Sequence, residues 1–447
     1  MKKIVVIGQG FVGFPMSVVL SSCKNNKKKK IFNVTGLEIN NKKGRNLINK
    51  IKNKVLPFIT ADKKILINFK KNINKNYFVT TDTNIISKAD IVVVSVSFNF
   101  NRKKDLSNLF SLTKLVSKKI KKGCLILFET TLPPGTCEKK LLPIIKKEIF
   151  KKKMNLNDFY FAYSYERVTP GKNYFNSITS FPRNYSGMND VSKKKCRDFL
   201  LKFINGKNLL YEQETLTDCE TAKILENSYR AINIALIDEW VKFANLTKIN
   251  LTRIIESIKF RSTHNNIMSP GLGVGGYCLT KDPKFLPYSS SHLFKKKNKF
   301  PFINLSTIIN KNMPNTSVDY ILGKVGSIKK KKILIIGFTY KEDVADFRSS
   351  PSLDFAKKLI YHGGKVNLFD PYSNEYKEKS KIKIVKDYKL KNYDIIIICV
   401  NHNKYKKNYL KKLSKKPYYF DLNRVYSNTE INKFNSNKYK FFQLGNN

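Results

Sequence analysis

The stretch KIVVIGQGFVG, residues 3–13, decides the fold of the first part of this chain. An apolar strand pattern, Lys3 to Ile7, leads directly into G-x-G-x-x-G, and helical character continues from Phe14. In that context the first glycine allows a tight turn, the second lets the backbone approach a pyrophosphate, and the third lets the helix pack on the strand. The motif therefore predicts a dinucleotide site formed by Gly8, Gly10, Phe11, Val12 and Gly13.

An acidic residue at the end of the second predicted strand, Ile31 to Ile39, completes this cofactor site. The carboxylate of Glu38 is expected to accept hydrogen bonds from a ribose 2′-hydroxyl and to repel a 2′-phosphate, so NAD is preferred over NADP. The nearby cations Lys42, Lys43 and Arg45 leave NADP open as an alternative.

Two further buried-strand patterns extend the predicted sheet, at Ile91 to Ser97 and at Cys124 to Phe128. Near-continuous apolar strands that alternate with helices indicate a parallel sheet covered on both faces, here up to about residue 165. Loops at the carboxyl ends of such strands face the ligand. Thr131 and the segment Tyr165-Glu166-Arg167 are therefore candidate site residues.

The composition limits the class of protein. At 447 residues the chain is long enough for two or three domains, and its 41% apolar content favours a globular fold over disorder. The net charge of +52 would ordinarily suggest a nucleic-acid partner. The excess is almost all lysine, spread from end to end without a binding motif or a basic and aromatic stripe, so no specific nucleic-acid partner is expected.

The seven cysteines are scattered without metal-ligand spacing, which predicts no metal site and suggests a reducing compartment. The apolar run before Cys23 could imitate a lipoprotein signal, but the glycine motif interrupts it. The sequence contains no run of about 18 apolar residues, which is the length needed to span a membrane. The expected location is the cytoplasm, without membrane insertion.

A glycine-rich loop, SPGLGVGGYCLTKDPKFL at residues 269–286, presents Cys278. Its four glycines exclude the interior of a helix or strand, so the loop is shaped for close approach to a ligand. Lys281 adds a cation that favours the thiolate, which is the nucleophilic form of cysteine, and Asp282 follows it. The alternative is a buried cysteine that acts only as a small hydrophobic residue.

A long helix is predicted from about Leu216 to Leu246. Lys223 and Asn227 lie one turn apart on one face, either as active-site residues or as a solvated polar pair. Apolar positions such as Ile224 and Trp240 suggest burial on more than one side, including against a second subunit. The helix therefore favours a homodimer.

A second α/β unit begins at Lys332 to Gly337 and repeats the opening of the chain, with strands at Lys365 to Phe369 and Asp394 to Val400. It keeps one glycine, and Lys341 and Arg348 follow where a backbone cradle for a dinucleotide would lie. Such cations are suited to phosphate or sugar. This unit is therefore predicted to hold a different nucleotide.

Seven ordered motifs give the chain a resemblance to the UDP-glucose/GDP-mannose dehydrogenase family, the nucleotide-sugar 6-dehydrogenases, along nearly its full length. They are GQGFVG, TTLPPGT, YERVTPG, ETAKILENSYRAINIALIDE, GLGVGGYCLTKDP, GFTYKEDVADFRSSP and VNH. The resemblance implies an α/β fold with two Rossmann-like domains joined by a long central helix and a small helical domain. The implied parts are an NAD-binding domain at 1–205, a central helical dimerisation domain with the cysteine loop at 206–315, and a UDP-sugar-binding domain at 316–447.

The resemblance also implies a reaction, the NAD-dependent oxidation of the C6 hydroxyl of a UDP-sugar to an acid by two hydride transfers, without a metal. Cys278 would attack the aldehyde to give a thiohemiacetal, and the second oxidation would leave a thioester for water to hydrolyse. Lys223 and Asn227 would stabilise negative charge at the C6 oxygen, and Glu166 would act as a general base. Asp282 and Thr131 would position the water or relay protons, and Thr131 would also contact the cofactor. Gly275, Lys341 and Arg348 would bind the substrate together with Lys223 and Asn227.

Two branches of the family compete for the substrate assignment. The E-R-x-x-P-G form at Glu166 to Gly171 and the Pro-Arg segment at Phe181 to Gly187 resemble enzymes that act on UDP-N-acetylhexosamines. Tyr277 replaces the histidine that this branch often carries, and Lys281-Asp282 is shared with the UDP-glucose branch. We expect a UDP-N-acetylhexosamine, with UDP-glucose as the alternative. A non-catalytic basic binding protein is a remote alternative, because the implied catalytic residues are all present.

Overall fold

The computed structural model describes residues 1–97, 103–376, 382–403 and 413–446. The chain divides into two compact units, the first made of Met1–Glu226 and Phe285–Asn298, the second of Asn227–Lys284 and Lys299–Asn447. Each unit contains one mainly parallel sheet. Among the described residues, no helix is long and apolar enough to cross a bilayer.

The first unit is built on an eight-stranded sheet. Its strands are β1 (Lys2–Ile7), β2 (Phe32–Leu37), β3 (Tyr77–Thr80), β4 (Ile91–Val94), β5 (Cys124–Phe128), β6 (Phe159–Tyr163), β7 (Arg183–Gly187) and β8 (Leu210–Glu212). The order is β3-β2-β1-β4-β5-β6-β7-β8, with β6 and β7 antiparallel. Because β1 pairs in parallel with β2 on one side and β4 on the other, the loop after β1 lies at the crevice where such sheets bind ligands.

Helices cover both faces of this sheet. They are α1 (Gly13–Ser22), α2 (Lys42–Lys52), α3 (Lys63–Asn72), α4 (Lys103–Lys119), α5 (Leu142–Lys151), α6 (Tyr174–Thr179) and α7 (Asp190–Leu200). Successive side chains of β1 alternate between two buried clusters: Ile4 and Val6 belong to one, Val5 and Ile7 to the other. Burial on both faces explains why the strand reads as a continuous apolar run.

The long helix α8 (Leu216–Thr247) starts in the first unit and continues in the second. The other helices are α9 (Leu251–Ile258), α10 (Phe285–Tyr288), α11 (Pro301–Val325), α12 (Pro351–Tyr361) and α13 (Asn428–Ser436). The second sheet contains β9 (Lys332–Ile336), β10 (Lys365–Phe369), β11 (Lys383–Ile384), β12 (Ile395–Ile398), β13 (Tyr418–Asp421) and β14 (Lys440–Gln443). Its order, β11-β10-β9-β12-β13-β14, again changes direction at the first strand of the unit.

Three helices end in the same way, with a lysine in the left-handed conformation directly after the C-cap residue. Lys54 follows α2, Lys153 follows α5 and Lys438 follows α13, with φ of 61°, 57° and 61°. In each case the next residue donates its backbone N–H back to a carbonyl in the last turn, as Val55 does to Lys50 at 2.9 Å. This is the Schellman motif, whose left-handed position is usually occupied by glycine.

The predicted fold class is confirmed: two doubly wound sheets and a long helix are present. The predicted strand from Ile91 to Ser97 ends earlier, at Val94, because Ser95 turns beneath the glycine loop and its hydroxyl donates to Glu129 at 3.0 Å. The strand predicted to reach Ile39 ends at Leu37, so Glu38 lies in the following loop.

Candidate active site

The glycine loop of the first unit has three different steric environments. Gly8 has a φ of +90°, and a Cβ there would lie 2.9 Å from the Ser95 carbonyl oxygen. A Cβ on Gly13 would lie 1.8 Å from the Gly8 oxygen, so only glycine allows α1 to start this close to the loop. A Cβ on Gly10 would meet no atom within 4 Å. The backbone at Gly10 is therefore open, and the loop fits the pyrophosphate of a dinucleotide.

Glu38 lies beside this loop. Its carboxylate accepts the Gln9 backbone N–H at 2.8 Å and the Ile39 N–H at 3.1 Å. Arg45, one of the cations that left NADP open, donates instead to Asn40 at 3.0 Å. The structure thus places Glu38, the residue predicted to bind the ribose, beside the loop predicted to bind the pyrophosphate.

The residues at the variable positions of the glycine motif, Gln9 and Phe11, also make specific contacts. Gln9 is completely buried, donates to the Val6 oxygen at 2.9 Å and accepts the Tyr77 hydroxyl at 2.6 Å. The Phe11 ring stacks on Phe58 with 4.7 Å between ring centres, and the Tyr174 hydroxyl donates to the Phe11 carbonyl. Sequence reasoning missed these contacts, because they depend on residues far away along the chain.

A buried ion pair supports the loop that carries Thr131. Arg183 lies 2.6 Å from Glu129, and both side chains are almost inaccessible to solvent. Burial raises the pKa of Glu129, and the charge of Arg183 opposes that rise. Thr130 donates from its hydroxyl to the Val96 oxygen at 2.8 Å. The Arg183 side chain, which the sequence offered as a sign of substrate type, thus serves the loop after β5.

Glu220 fixes the same loop from α8, and sequence reasoning missed it. Its two carboxylate oxygens accept the N–H groups of Gly135 at 2.6 Å and of Cys137 at 2.8 Å. Complete burial raises the pKa of Glu220 to about 8, while the bonds from Cys137 and Gly135 lower it. One turn further along α8, Lys223 is 7% exposed.

Lys223 and Glu166 are brought together in the first unit. The Lys223 ammonium donates to the Glu166 backbone oxygen at 3.0 Å and lies 5.2 Å from the ring centre of Tyr165. The Glu166 carboxylate accepts the N–H of Val168. Arg167 is paired with Glu226 at 2.7 Å. The E-R-x-x-P-G segment is thus tied to α8 through both its backbone and its arginine.

In the second unit, Asn227 and Asp282 form a network next to Cys278. The Asn227 amide donates to Asp282 at 2.7 Å, and the Lys281 ammonium lies 2.5 Å from the other oxygen of Asp282. The N–H groups of Asp282 and Lys281 donate to the Cys278 carbonyl at 2.9 and 3.1 Å. Asp282 is fully buried and Cys278 is exposed, so an exposed cysteine is bonded through its backbone carbonyl to the segment that holds an ordered acid, amide and cation.

Two glycines let the cysteine loop lie against the segment after β9. A Cβ on Gly275 would lie 2.8 Å from the Tyr340 Cβ, and one on Gly276 would lie 2.6 Å from the Tyr340 ring. Gly276 has a φ of +79° and donates its N–H to the Arg348 carbonyl at 3.1 Å. Any side chain at these positions would push the two segments apart.

The segment after β9 holds the two predicted cations. Lys341 is half-buried, and burial lowers the pKa of its ammonium. The Arg348 Nε donates to Asp346 at 2.8 Å, and this hydrogen bond is the main cause of the raised pKa of Arg348. The segment is anchored by Asp370, which accepts the N–H of Phe338 at 2.7 Å and lies 3.2 Å from the buried His402 ring.

The seven cysteines all lie in the described ranges, and none forms a disulfide. Cys278 is exposed and Cys23 is partly buried; the others are buried. Burial raises the pKa of the Cys23 and Cys124 thiols to about 12. Within the described residues, no group of three or more His, Cys, Asp or Glu side chains is arranged to hold a metal ion.

Comparison with known proteins relates these features to a family. Three consecutive parts of the chain match the UDP-glucose/GDP-mannose dehydrogenase family: its NAD binding domain over residues 2–197, its central domain over residues 217–312 and its UDP binding domain over residues 334–428. The matches follow the order of the glycine loop, the cysteine loop and the segment after β9.

Individual relatives cover nearly the whole chain. UDP-N-acetyl-D-mannosamine dehydrogenase of Methanococcus maripaludis strain C7 is 32% identical over 417 residues, 91% of this chain and 87% of the relative. UDP-N-acetyl-D-glucosamine 6-dehydrogenase of Salmonella typhi is 28% identical over 90% of this chain and 91% of its own length. The solved structure of UDP-D-ManNAc dehydrogenase from Pyrococcus horikoshii has a TM-score of 0.81 and 24% identity over 99% of both chains. This structural likeness shows the fold.

Proposed function

Since this chain belongs to the UDP-glucose/GDP-mannose dehydrogenase family, we propose that it oxidises the C6 hydroxyl of a UDP-N-acetylhexosamine to a carboxylate through a thiohemiacetal and a thioester on Cys278. The chain is an NAD-dependent nucleotide-sugar dehydrogenase. The observation that carries the mechanism is the exposed Cys278 beside the hydrogen-bonded pair Asn227 and Asp282. The proposed parts remain an NAD domain at 1–205, a helical dimerisation domain at 206–315 and a UDP-sugar domain at 316–447.

Gly8 to Gly13 would hold NAD, with Glu38 at its ribose, and two molecules of NAD bound in succession would accept the two hydrides. Phe11, Val12 and Thr131 complete the proposed cofactor site. Thr131 stands on a loop that Glu129 and Glu220 hold in place, which suits a role in positioning.

Cys278 acts after the first oxidation. Its thiolate forms a C–S bond to the aldehyde carbon, and the oxygen becomes negative before it gains a proton. Lys223 and Asn227 stabilise that oxygen, because donors aimed at developing charge lower the barrier of such additions. Both lie on α8, one helical turn apart.

Hydrolysis follows the second oxidation. Water adds to the thioester carbonyl, the C–S bond breaks, and the thiolate of Cys278 leaves, which yields the acid. Glu166 takes the proton from the attacking water, and Asp282 and Thr131 orient the water or relay protons. The buried Asp282 is suited to orientation, since Asn227 and Lys281 hold both of its oxygens.

The substrate assignment is supported by the E-R-x-x-P-G segment and by relatives named for UDP-N-acetyl-D-mannosamine and UDP-N-acetyl-D-glucosamine. Gly275, Lys341 and Arg348 are the proposed substrate residues, with Lys223 and Asn227. UDP-glucose remains the second candidate, because Tyr277 departs from the hexosamine pattern and Lys281-Asp282 is shared with the UDP-glucose branch. A pocket built for the N-acetyl amide leaves a polar group unpaired with glucose, which costs about 1 to 3 kcal/mol, or roughly 5- to 150-fold in kcat/KM.

We also propose that α8 forms a homodimer contact with a second copy of the chain. In the second unit, α8 exposes Tyr229, Leu236, Phe243 and Leu246, with Leu246 83% exposed. Apolar faces of this kind are usually covered by a partner. Phe243→Glu should convert a dimer to a monomer in light scattering, whereas Tyr361→Glu, at an exposed aromatic residue of α12, should not.

The deciding experiment incubates the protein with NAD and purified UDP-N-acetylglucosamine, UDP-N-acetylmannosamine or UDP-glucose. The expected products are two NADH and one acid per acetylated sugar, with kcat/KM above that for UDP-glucose. Cys278→Ala should form no acid while it still binds UDP. One NADH with released aldehyde would overturn the mechanism, and a preference for UDP-glucose would overturn the substrate.

A further inference from the structure

Tyr277, the residue before the proposed nucleophile, contacts two cations. The Lys281 ammonium lies 4.8 Å from its ring centre, and the Arg348 guanidinium carbon lies 5.3 Å from it. Both distances fall within the range of cation–π attraction. Lys281 is paired with Asp282, and Arg348 with Asp346. The ring therefore joins two ion pairs that come from two different loops of the second unit.

The backbone brings the same two loops together. The N–H of Gly276 donates to the Arg348 carbonyl at 3.1 Å, and Gly276 lies against the Tyr340 ring. After its main cause, the hydrogen bond to Asp346, the raised pKa of Arg348 also reflects the negative forms of Tyr340 and Cys278. The backbone hydrogen bond from Gly276 brings Arg348 to a residue two positions before Cys278.

We propose that Tyr277 is a positioning residue that holds Arg348 and Lys281 beside Cys278 and thereby stabilises the thiolate. Each cation is also paired with a carboxylate, so the ring acts by holding the positive end of each ion pair beside the cysteine loop. The charged and titratable groups that face this region are Lys281 and Asp282 on the cysteine loop, and Tyr340, Asp346 and Arg348 after β9.

This inference rests on the proposed nucleophilic role of Cys278, but it makes a separate claim. Arg348 is proposed to bind the UDP-sugar, and Asp346 already holds its Nε and Nη2. Substrate binding by Arg348 does not require its contact with Tyr277, whereas a second role of Arg348 at the thiol does. Tyr277 touches the cations and acts through them, so it is not assigned a catalytic step.

The test compares Tyr277→Phe, which keeps the ring, with Tyr277→Leu, which removes it. Iodoacetamide alkylation of Cys278 in the full chain is followed by peptide mass spectrometry as a function of pH, without substrate. Cys278 can be followed alone, because it is the exposed cysteine. The leucine variant should be alkylated about fivefold more slowly at neutral pH, with the profile moved to higher pH, while phenylalanine should match the native protein.

The high-pH plateau separates charge from access to the thiol. It should be equal in all three proteins, because a fully ionised thiol no longer needs the cations. An unchanged profile in Tyr277→Leu, or an equal slowing at every pH, would overturn the proposal. If Tyr277→Leu does not fold, Arg348→Gln removes one cation and should move the profile in the same direction; no movement there also counts against it. If the alkylation profile shifts as expected but the protein oxidises no UDP-sugar, the proposed function is rejected and the role of Tyr277 is kept.

Discussion

The side-chain amide of Asn227 donates a 2.7 Å hydrogen bond to the carboxylate of Asp282. The two residues are 55 positions apart, one on α8 and the other four residues after Cys278. The bond lets the long helix orient the acid of the cysteine loop. It also gives Asn227 a role besides the proposed contact with the C6 oxygen.

Asn227→Asp should reduce kcat by roughly 100-fold, because it replaces a donor with a negative charge beside buried Asp282. Steady-state kinetics with NAD and the preferred UDP-sugar measures this. Asn233→Asp, on the same helix, makes the same charge change where the amide donates to the Tyr229 carbonyl. Equal losses in both variants would mean that the charge of α8, and not the pair with Asp282, determines activity.

The two glycines Gly10 and Gly13 should respond differently to alanine. Gly10→Ala should keep the unfolding free energy within about 1 kcal/mol, yet weaken NAD binding at least about tenfold, because its Cβ enters open space above the loop. Gly13→Ala should lower stability by roughly 2 to 4 kcal/mol, since its Cβ would meet the Gly8 oxygen. Titration calorimetry measures NAD binding by the two variants, and thermal unfolding measures their stability. Tight NAD binding by Gly10→Ala would contradict the placement of the pyrophosphate.

Replacing Glu38 should change cofactor choice. Glu38→Ala removes the carboxylate that would repel a 2′-phosphate, so the ratio of kcat/KM for NAD over NADP should fall by about tenfold or more. The matched control is Asp190→Ala, which removes an exposed carboxylate of the first unit and leaves Glu38 and Arg45 intact. An unchanged ratio in Glu38→Ala would show that the ribose is recognised elsewhere.

Glu220 should make stability depend on pH. Its pKa is raised from the ordinary 4.5 to about 8 in the fold, so the native state holds this proton more tightly than the unfolded state does. Its contribution is fully present below pH 4.5 and is lost as pH rises toward about 8. Glu220→Gln cannot titrate, so the Tm of the native protein minus the Tm of the variant should fall as pH rises across that interval. A constant or rising value of this Tm difference would show that Glu220 does not hold its proton there.

Local sterics explain what the sequence could predict. The glycine motif and the apolar strands depend on neighbours within a few residues, so both sheets and the cofactor loop were recognisable. Long-range pairs were not. In the sequence, Gln9 is a variable position of the glycine motif, but in the structure its amide oxygen accepts a hydrogen bond from Tyr77. Arg183 is interpreted from the sequence as an indication of the substrate, but in the structure it forms an ion pair with Glu129. Each pair depends on strand register, which residue types alone do not specify.

The lysines that follow α2, α5 and α13 show what a uniform lysine bias does to a fold. Lys54, Lys153 and Lys438 occupy left-handed positions where a side chain is strained by roughly 1 kcal/mol or more and glycine is not. A lysine-rich composition has therefore left removable strain at the ends of three helices that carry none of the proposed catalytic residues. Changing these three lysines to glycine is a route to a more heat-resistant enzyme in which every proposed catalytic residue is kept.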